Sequence, residues 1–183
     1  MQPIENLKRD HQSILQALQI IAKIAAYIKM DQTYNLEHVE KLIDFVKNFA
    51  DGYHHNKEEN ILFPELVKLG ISRDSGPVGV MLYEHEMGRV YIKGAIESIA
   101  IIKTGNDSAN ILLGTNLDGY ASLLQNHIIK EENILFPMAD RVLTNDKKEY
   151  INRQFIKLEE ELNWAEEYKY YIEFITEYSE MYL

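Results

Sequence analysis

Apolar residues recur along most of this chain at intervals of three and four, the spacing that gathers them on one face of a helix. From about Ile4 to Met30 the stripe is Ile14, Leu15, Leu18, Ile21, Ala22, Ala25 and Ile28. A second helix is predicted from roughly Leu36 to Leu69, with Ile43, Val46 and Ala50 on its stripe and Gly70 where it stops. A third runs from about Gly79 to Lys103, closed by Thr104-Gly105-Asn106-Asp107, and a fourth from about Ala109 to Val142. A fifth, Lys147 to near Met181, is charged and rich in tyrosine. The two-residue alternation of a strand is weak throughout. Four prolines and nine glycines fall mainly where periodic segments end. The pattern therefore predicts an all-α fold, an antiparallel up-and-down four-helix bundle over residues 4–142 with a further C-terminal helix over 147–181, in a single domain.

An internal repeat divides the bundle. Lys57-Glu58-Glu59-Asn60-Ile61-Leu62-Phe63-Pro64 recurs unchanged as Lys130-Glu131-Glu132-Asn133-Ile134-Leu135-Phe136-Pro137, 73 positions on. A duplication of this length fits two helical hairpins associating about a pseudo-two-fold axis, since one hairpin alone would leave its apolar face wet.

The repeat also carries the chemistry. His54 stands four residues before Glu58, and His127 four before Glu131, so each pair presents an imidazole and a carboxylate on one helical face. Both pairs lie on the apolar stripe, next to Val46 and Ala50 in one helix and Leu123 and Leu124 in the other. His11 shares a face with Ile14, Leu15 and Leu18, and His85 with Val78, Met81, Leu82 and Ile92. His11 precedes His54 by 43 residues and His85 precedes His127 by 42, so the duplication extends to these histidines. A buried carboxylate is costly without a counter-charge. His11, His54, Glu58, His85, His127 and Glu131 are therefore candidate ligands of a metal pair at one level of the bundle. Nitrogen and oxygen donors suit iron or manganese, and zinc is compatible with them.

Composition narrows the alternatives. The chain has no cysteine, which excludes disulfides, thiolate zinc sites, iron–sulfur clusters and cysteine nucleophiles. Nineteen Lys and Arg against 29 Asp and Glu give a net charge of -10, which disfavours nucleic acid and anionic membrane surfaces. No apolar stretch of signal-peptide or membrane-span length is present, so a cytoplasmic location is the expectation. On an α-helical projection His55 lies about 100° from His54, at the bundle edge, while His38 is expected in solvent. Glu59 and Glu132 are expected as surface charges. Pro64 and Pro137 are expected to kink or end their helices. Tyr53, Tyr83, Tyr91 and Tyr120 fit either an access path or ordinary packing.

The His54-x-x-Lys57-Glu58-Glu59 and His127-x-x-Lys130-Glu131-Glu132 blocks resemble the hemerythrin-like family of cation-binding domains. So do their Ile-Leu-Phe-Pro tails, Asp10-His11, and Glu84-His85-Glu86-Met87-Gly88-Arg89. The resemblance covers about Ile4 to Met138. It implies a four-helix bundle holding two iron ions with an oxo or hydroxo bridge, on His11, His54, Glu58, His85, His127 and Glu131. It also implies binding or reaction with dioxygen, nitric oxide or peroxide, or else an iron store or donor for repair of damaged iron centres. Oxygen-carrying hemerythrins have a second histidine four residues beyond the one on the third helix; Arg89 stands there, so the chain is more similar to the symmetric, repair-type branch. The C-terminal helix, with Trp164, Tyr168, Tyr170, Tyr171, Phe174 and Tyr178, is expected to dock on the bundle or on a second copy as a homodimer. A metal-gated sensor or interaction module built on that helix is a third reading.

Overall fold

A computed structural model describes residues 2–183. Six helices and one short 3-10 turn make up the fold, and no strand occurs among the described residues. Helix α1 (Pro3–Lys29) opens with Pro3 in its first turn, and the Gln2 backbone N–H donates to the Glu5 carboxylate at 3.1 Å. Helix α2 (residues 36–68) is capped by Asn35, whose side chain accepts the Glu37 N–H at 2.9 Å, and ends before Gly70 at φ 94°. Helix α3 (Gly76–Ile102) and helix α4 (residues 110–142) complete the bundle.

The helices bearing the repeat are not α-helical throughout. Helix α2 passes through π-helical segments at Val46–His55 and Glu58–Leu62, and α4 through one at Glu131–Leu135. Each repeated Ile-Leu-Phe-Pro tail therefore follows or lies within a wide turn, and the helices run past Pro64 to Lys68 and past Pro137 to Val142. A π turn already departs from the i→i−4 ladder that a proline would break, so neither proline ends its helix.

The C-terminal helical segment is divided. Helix α5 (Asn145–Glu161) starts at Thr144, whose hydroxyl accepts the Lys147 N–H, and stops where Asn163 adopts φ 50°. Asparagine tolerates this left-handed conformation better than most residues. Helix α6 (Trp164–Tyr182) then folds its aromatic face onto the bundle: Trp164 stacks on Tyr53 with centroids 4.5 Å apart, and Tyr171, Phe174 and Tyr178 are buried. His38 is half-buried rather than free in solvent, because α6 packs against it and its Nδ1 lies 2.6 Å from the Tyr182 hydroxyl.

Two apolar clusters fill the interior. One contains Ile14, Ile21, Phe49, Tyr53, Ile92, Leu124 and Ile128, together with the α6 aromatics. The other contains Leu7, Leu62, Phe63, Met81, Leu135 and Phe136. On every bundle helix the change from one cluster to the other falls at the same level, and that level is polar. Helices α3 and α4 pack closely, since a Cβ at Gly119 would come within 2.5 Å of the Tyr91 ring. Helices α2 and α3 stand farther apart beside the polar layer. Among the described residues no helix is long and apolar enough to cross a membrane.

Candidate metal centre

The polar layer gathers the six residues named from the repeat. His11 lies between Leu7 and Ile14 on α1, Glu58 between Tyr53 and Leu62 on α2, His85 between Met81 and Ile92 on α3, and Glu131 between Ile128 and Leu135 on α4. None of the six is more than 1% exposed. Donor atoms of His11, His54, Glu58 and Glu131 lie within 4.8 Å of one another, as do those of His55, Glu58, His85 and His127. The two groups share Glu58. Its Oε1 is 3.6 Å from His54 Nε2 and its Oε2 is 3.6 Å from His85 Nε2, so one carboxylate faces both groups. Glu131 Oε2 is 3.2 Å from His11 Nε2 and 3.4 Å from His127 Nε2 and does the same.

A ring of outer carboxylates holds these imidazoles. Glu132 Oε1 is 2.8 Å from His11 Nδ1, Glu59 Oε1 is 2.6 Å from His85 Nδ1, and Glu84 Oε2 is 3.1 Å from His127 Nδ1. Asp10 Oδ2 stands 3.6 Å from His54 Nδ1. A carboxylate only accepts, so each Nδ1 it engages carries the proton and the Nε2 lone pair turns toward the centre. Lys57 bonds Asp10 and Lys130 bonds Glu84, which repeats the relay in both halves. Glu59 and Glu132 are thus not the surface charges expected. Each reaches across a helix–helix contact to the histidine of the other hairpin.

His55 is the other departure. It is 5% exposed rather than at the bundle edge, and its ring stacks on His85 with centroids 3.7 Å apart. The α-helical projection fails here because Val46–His55 is π-helical. Asp51, one turn back, lies 3.1 Å from His55 Nδ1. Arg89 in turn donates to Asp51 at 2.7 Å and to Glu59 at 2.8 Å. Of the tyrosines, Tyr120 lines a cavity beside His85 and Tyr53 donates to Glu159 at 2.7 Å.

The electrostatics of the bare cluster are those of a site built around positive charge. Burial, then the neighbouring Glu131 charge, pushes the Glu58 carboxyl well up. Burial opposes the ionisation of Glu131 too, yet His127 and His11 hold it well below the usual carboxylate range. Burial drives His54 down to about 3 and His85 well down. His127 is raised to about 9 against its burial, by Glu131 and Glu84. Four carboxylate oxygens of Glu58 and Glu131 are buried without a hydrogen-bond partner. Meanwhile Nε2 of His11 faces Nε2 of His54 at 3.1 Å, and His85 faces His127 at 3.0 Å. Two lone pairs cannot approach so closely without a cation or proton between them, and orphaned buried oxygens need the same remedy. The donor set, imidazole and carboxylate without thiolate, fits first-row divalent and trivalent metals.

Comparison with known proteins agrees with this chemistry. The family description "Hemerythrin HHE cation binding domain" matches residues 2–139. The uncharacterized protein Rv1995 of Mycobacterium tuberculosis and the uncharacterized protein Mb2018 of Mycobacterium bovis are each 21% identical over 140 residues. That alignment covers 76% of this chain and 54% of either relative, so the chain spans about half the length of the curated relatives it matches. No solved structure matches it.

Proposed function

The chain belongs to the hemerythrin HHE cation-binding family, and from that premise we propose that it is a non-haem di-iron protein whose centre binds or reacts with dioxygen, nitric oxide or peroxide. The observation that carries this reading is the set of four orphaned carboxylate oxygens facing two pairs of Nε2 atoms. His11 and His54 would hold one ion and His85 and His127 the other, with Glu58 and Glu131 shared between them. When bound, the metal pair supplies redox chemistry and open coordination positions for small molecules.

The chain's own residues prepare that chemistry. Glu132, Glu59, Glu84 and Asp10 orient the imidazoles, and such outer partners are worth roughly 10- to 100-fold in metal affinity. The two apolar clusters keep bulk water from either end of the centre. An iron store or donor is the weaker alternative, because none of the six donor residues is more than 1% exposed and the centre lies between two apolar clusters. A homodimer through the C-terminal region would have to use what the bundle leaves exposed there, such as Ile156, Tyr170 and Met181.

Iron reconstitution followed by metal analysis and visible spectroscopy under oxygen and nitric oxide tests the proposal. Two irons per chain with an absorption band that changes on gas addition are expected. Less than one iron per chain, or a spectrum indifferent to both gases, overturns it.

A further inference from the structure

The duplication is broken at one place, beside the metal centre. His55 has Ile128 at its repeat position 73 residues on, and Asp51 has Leu124. Arg89, four residues beyond His85, corresponds to Leu15, four beyond His11. In one half these positions are apolar: Leu124 and Ile128 are buried in the core and Leu15 packs against it. In the other half they form a polar chain. Arg89 donates to Asp51 at 2.7 Å, and Asp51 Oδ1 lies 3.1 Å from His55 Nδ1.

That chain has the construction found around the candidate ligands. A histidine bound to metal through one ring nitrogen nearly always gives the N–H of the other to a carboxylate or carbonyl, which fixes the tautomer and aims the lone pair. Lys57, Asp10 and His54 are arranged in this order, as are Lys130, Glu84 and His127. Arg89, Asp51 and His55 are a third instance. The same guanidinium donates to Glu59 at 2.8 Å, and Glu59 holds His85 Nδ1, so one cation braces the outer carboxylates of His55 and His85 together. Packing alone does not call for this, since isoleucine fills the equivalent place in the other half.

With its Nδ1 proton directed at Asp51, His55 keeps its lone pair on Nε2. His55 is buried, and its donor atom lies within 4.8 Å of those of Glu58, His85 and His127, whereas the group of His11, His54, Glu58 and Glu131 does not include it. Its ring lies nearly parallel to that of His85, 14° apart with centroids separated by 3.7 Å. Two parallel rings cannot both aim in-plane lone pairs at one ion, so ligation requires the His55 ring to tilt off the stack. The solvent-connected cavity of about 450 Å³ that His55 lines between α2 and α3 gives it the room.

We infer that His55 is a seventh metal ligand, binding through Nε2 to the ion held by His85 and His127, so that three imidazoles serve one ion and two the other. Asp51 and Arg89 are positioning residues that hold its tautomer. The inference deepens the proposed function by adding a ligand to the same centre, and it rests on that reading only in requiring that the centre hold two metal ions.

Nitrogen NMR of histidine-labelled protein loaded with zinc tests it, because zinc is diamagnetic, accepts the same donors, and shifts the resonance of each ring nitrogen it binds. The chain has six histidines. Five should show a metal-bound Nε2, and His38, which pairs with Tyr182, should not. His55→Gln should remove one of the five bound signals and lower the affinity for one of the two zinc ions at least tenfold, a loss that even an outer partner of a ligand can bring. Four bound imidazoles with His55 unmoved by zinc, or two zinc affinities in His55→Gln equal to the parent's, overturn the inference. The count in the parent decides the question even where the variant folds poorly. Five zinc-bound imidazoles without iron uptake sink the di-iron reading alone, and four with two irons bound per chain sink this inference alone.

Discussion

Replacing Lys57 with Met should cost far more stability than the same change at its repeat partner, Lys130. Lys57 is completely buried, bonds Asp10, donates to the Asn6 side chain at 2.7 Å, and holds its ammonium 3.8 Å from the Tyr53 ring centroid. Asp10 is equally buried, and its carboxyl is held down by His54 and Lys57 against the effect of burial. Methionine keeps most of the stem volume and removes the charge, leaving Asp10 without its cation. Breaking a buried ion pair in this way costs about 3–5 kcal/mol. Lys130 also bonds a carboxylate, Glu84, but its side chain is 35% exposed, so solvent screens the pair and about 1 kcal/mol is expected. Urea unfolding of the metal-free proteins measures the difference without the stabilisation that a bound metal adds. For a chain of this size the Lys57→Met midpoint should fall by roughly 6–20 °C in a thermal scan. Asp10, with its lowered native pKa, contributes stability above the unfolded value of about 4 and loses it as pH falls, so the gap to the parent should narrow in acid. Equal losses from Lys57→Met and Lys130→Met would refute the reasoning, because the two pairs differ in burial and in the Asn6 and Tyr53 contacts that only Lys57 makes.

Glu58→Gln and Glu131→Gln should each lose most of the bound metal after dialysis, whereas Glu59→Gln should keep it at saturation and bind roughly 10- to 100-fold more weakly at limiting metal. Equal metal loss in all three by mass spectrometry would contradict the division into inner and outer carboxylates. His127, raised to about 9 in the fold from about 6.5 unfolded, contributes stability that is complete below pH 6.5 and lost as pH rises through 9. The metal-free melting temperature should therefore decline across that window, and parallel curves for the parent and His127→Gln would count against this. Metal loading near pH 7.5 should release protons, seen as a heat that depends on the buffer's ionisation enthalpy. Trp164→Ala should cost about 3 kcal/mol or more by removing the stack on Tyr53 that seats α6, and an unchanged urea midpoint would show that α6 is not part of the cooperative core.

What could be read from sequence followed the symmetry of the duplication. The histidine and glutamate pairs four apart survive any local change of pitch well enough to be recognised, and they recur, so all six inward residues could be named before their geometry was known. The outer carboxylates were also written twice, as Asp10 and Glu84 before a histidine and as Glu59 and Glu132 after a glutamate. Helical projection hid them, because it describes one helix in solvent, whereas each of these side chains meets its imidazole across a contact with another helix. His55 had no such second copy. Its inward position depends on the π-helical stretch Val46–His55, which α4 lacks at the matching positions, and on Asp51 and Arg89 standing where the other half has leucines. A repeat reveals what both halves must share, here the means of holding metal. The residues that depart from it concern what only one half does, and in this fold they are the ones that leave a path from solvent to a single side of the centre.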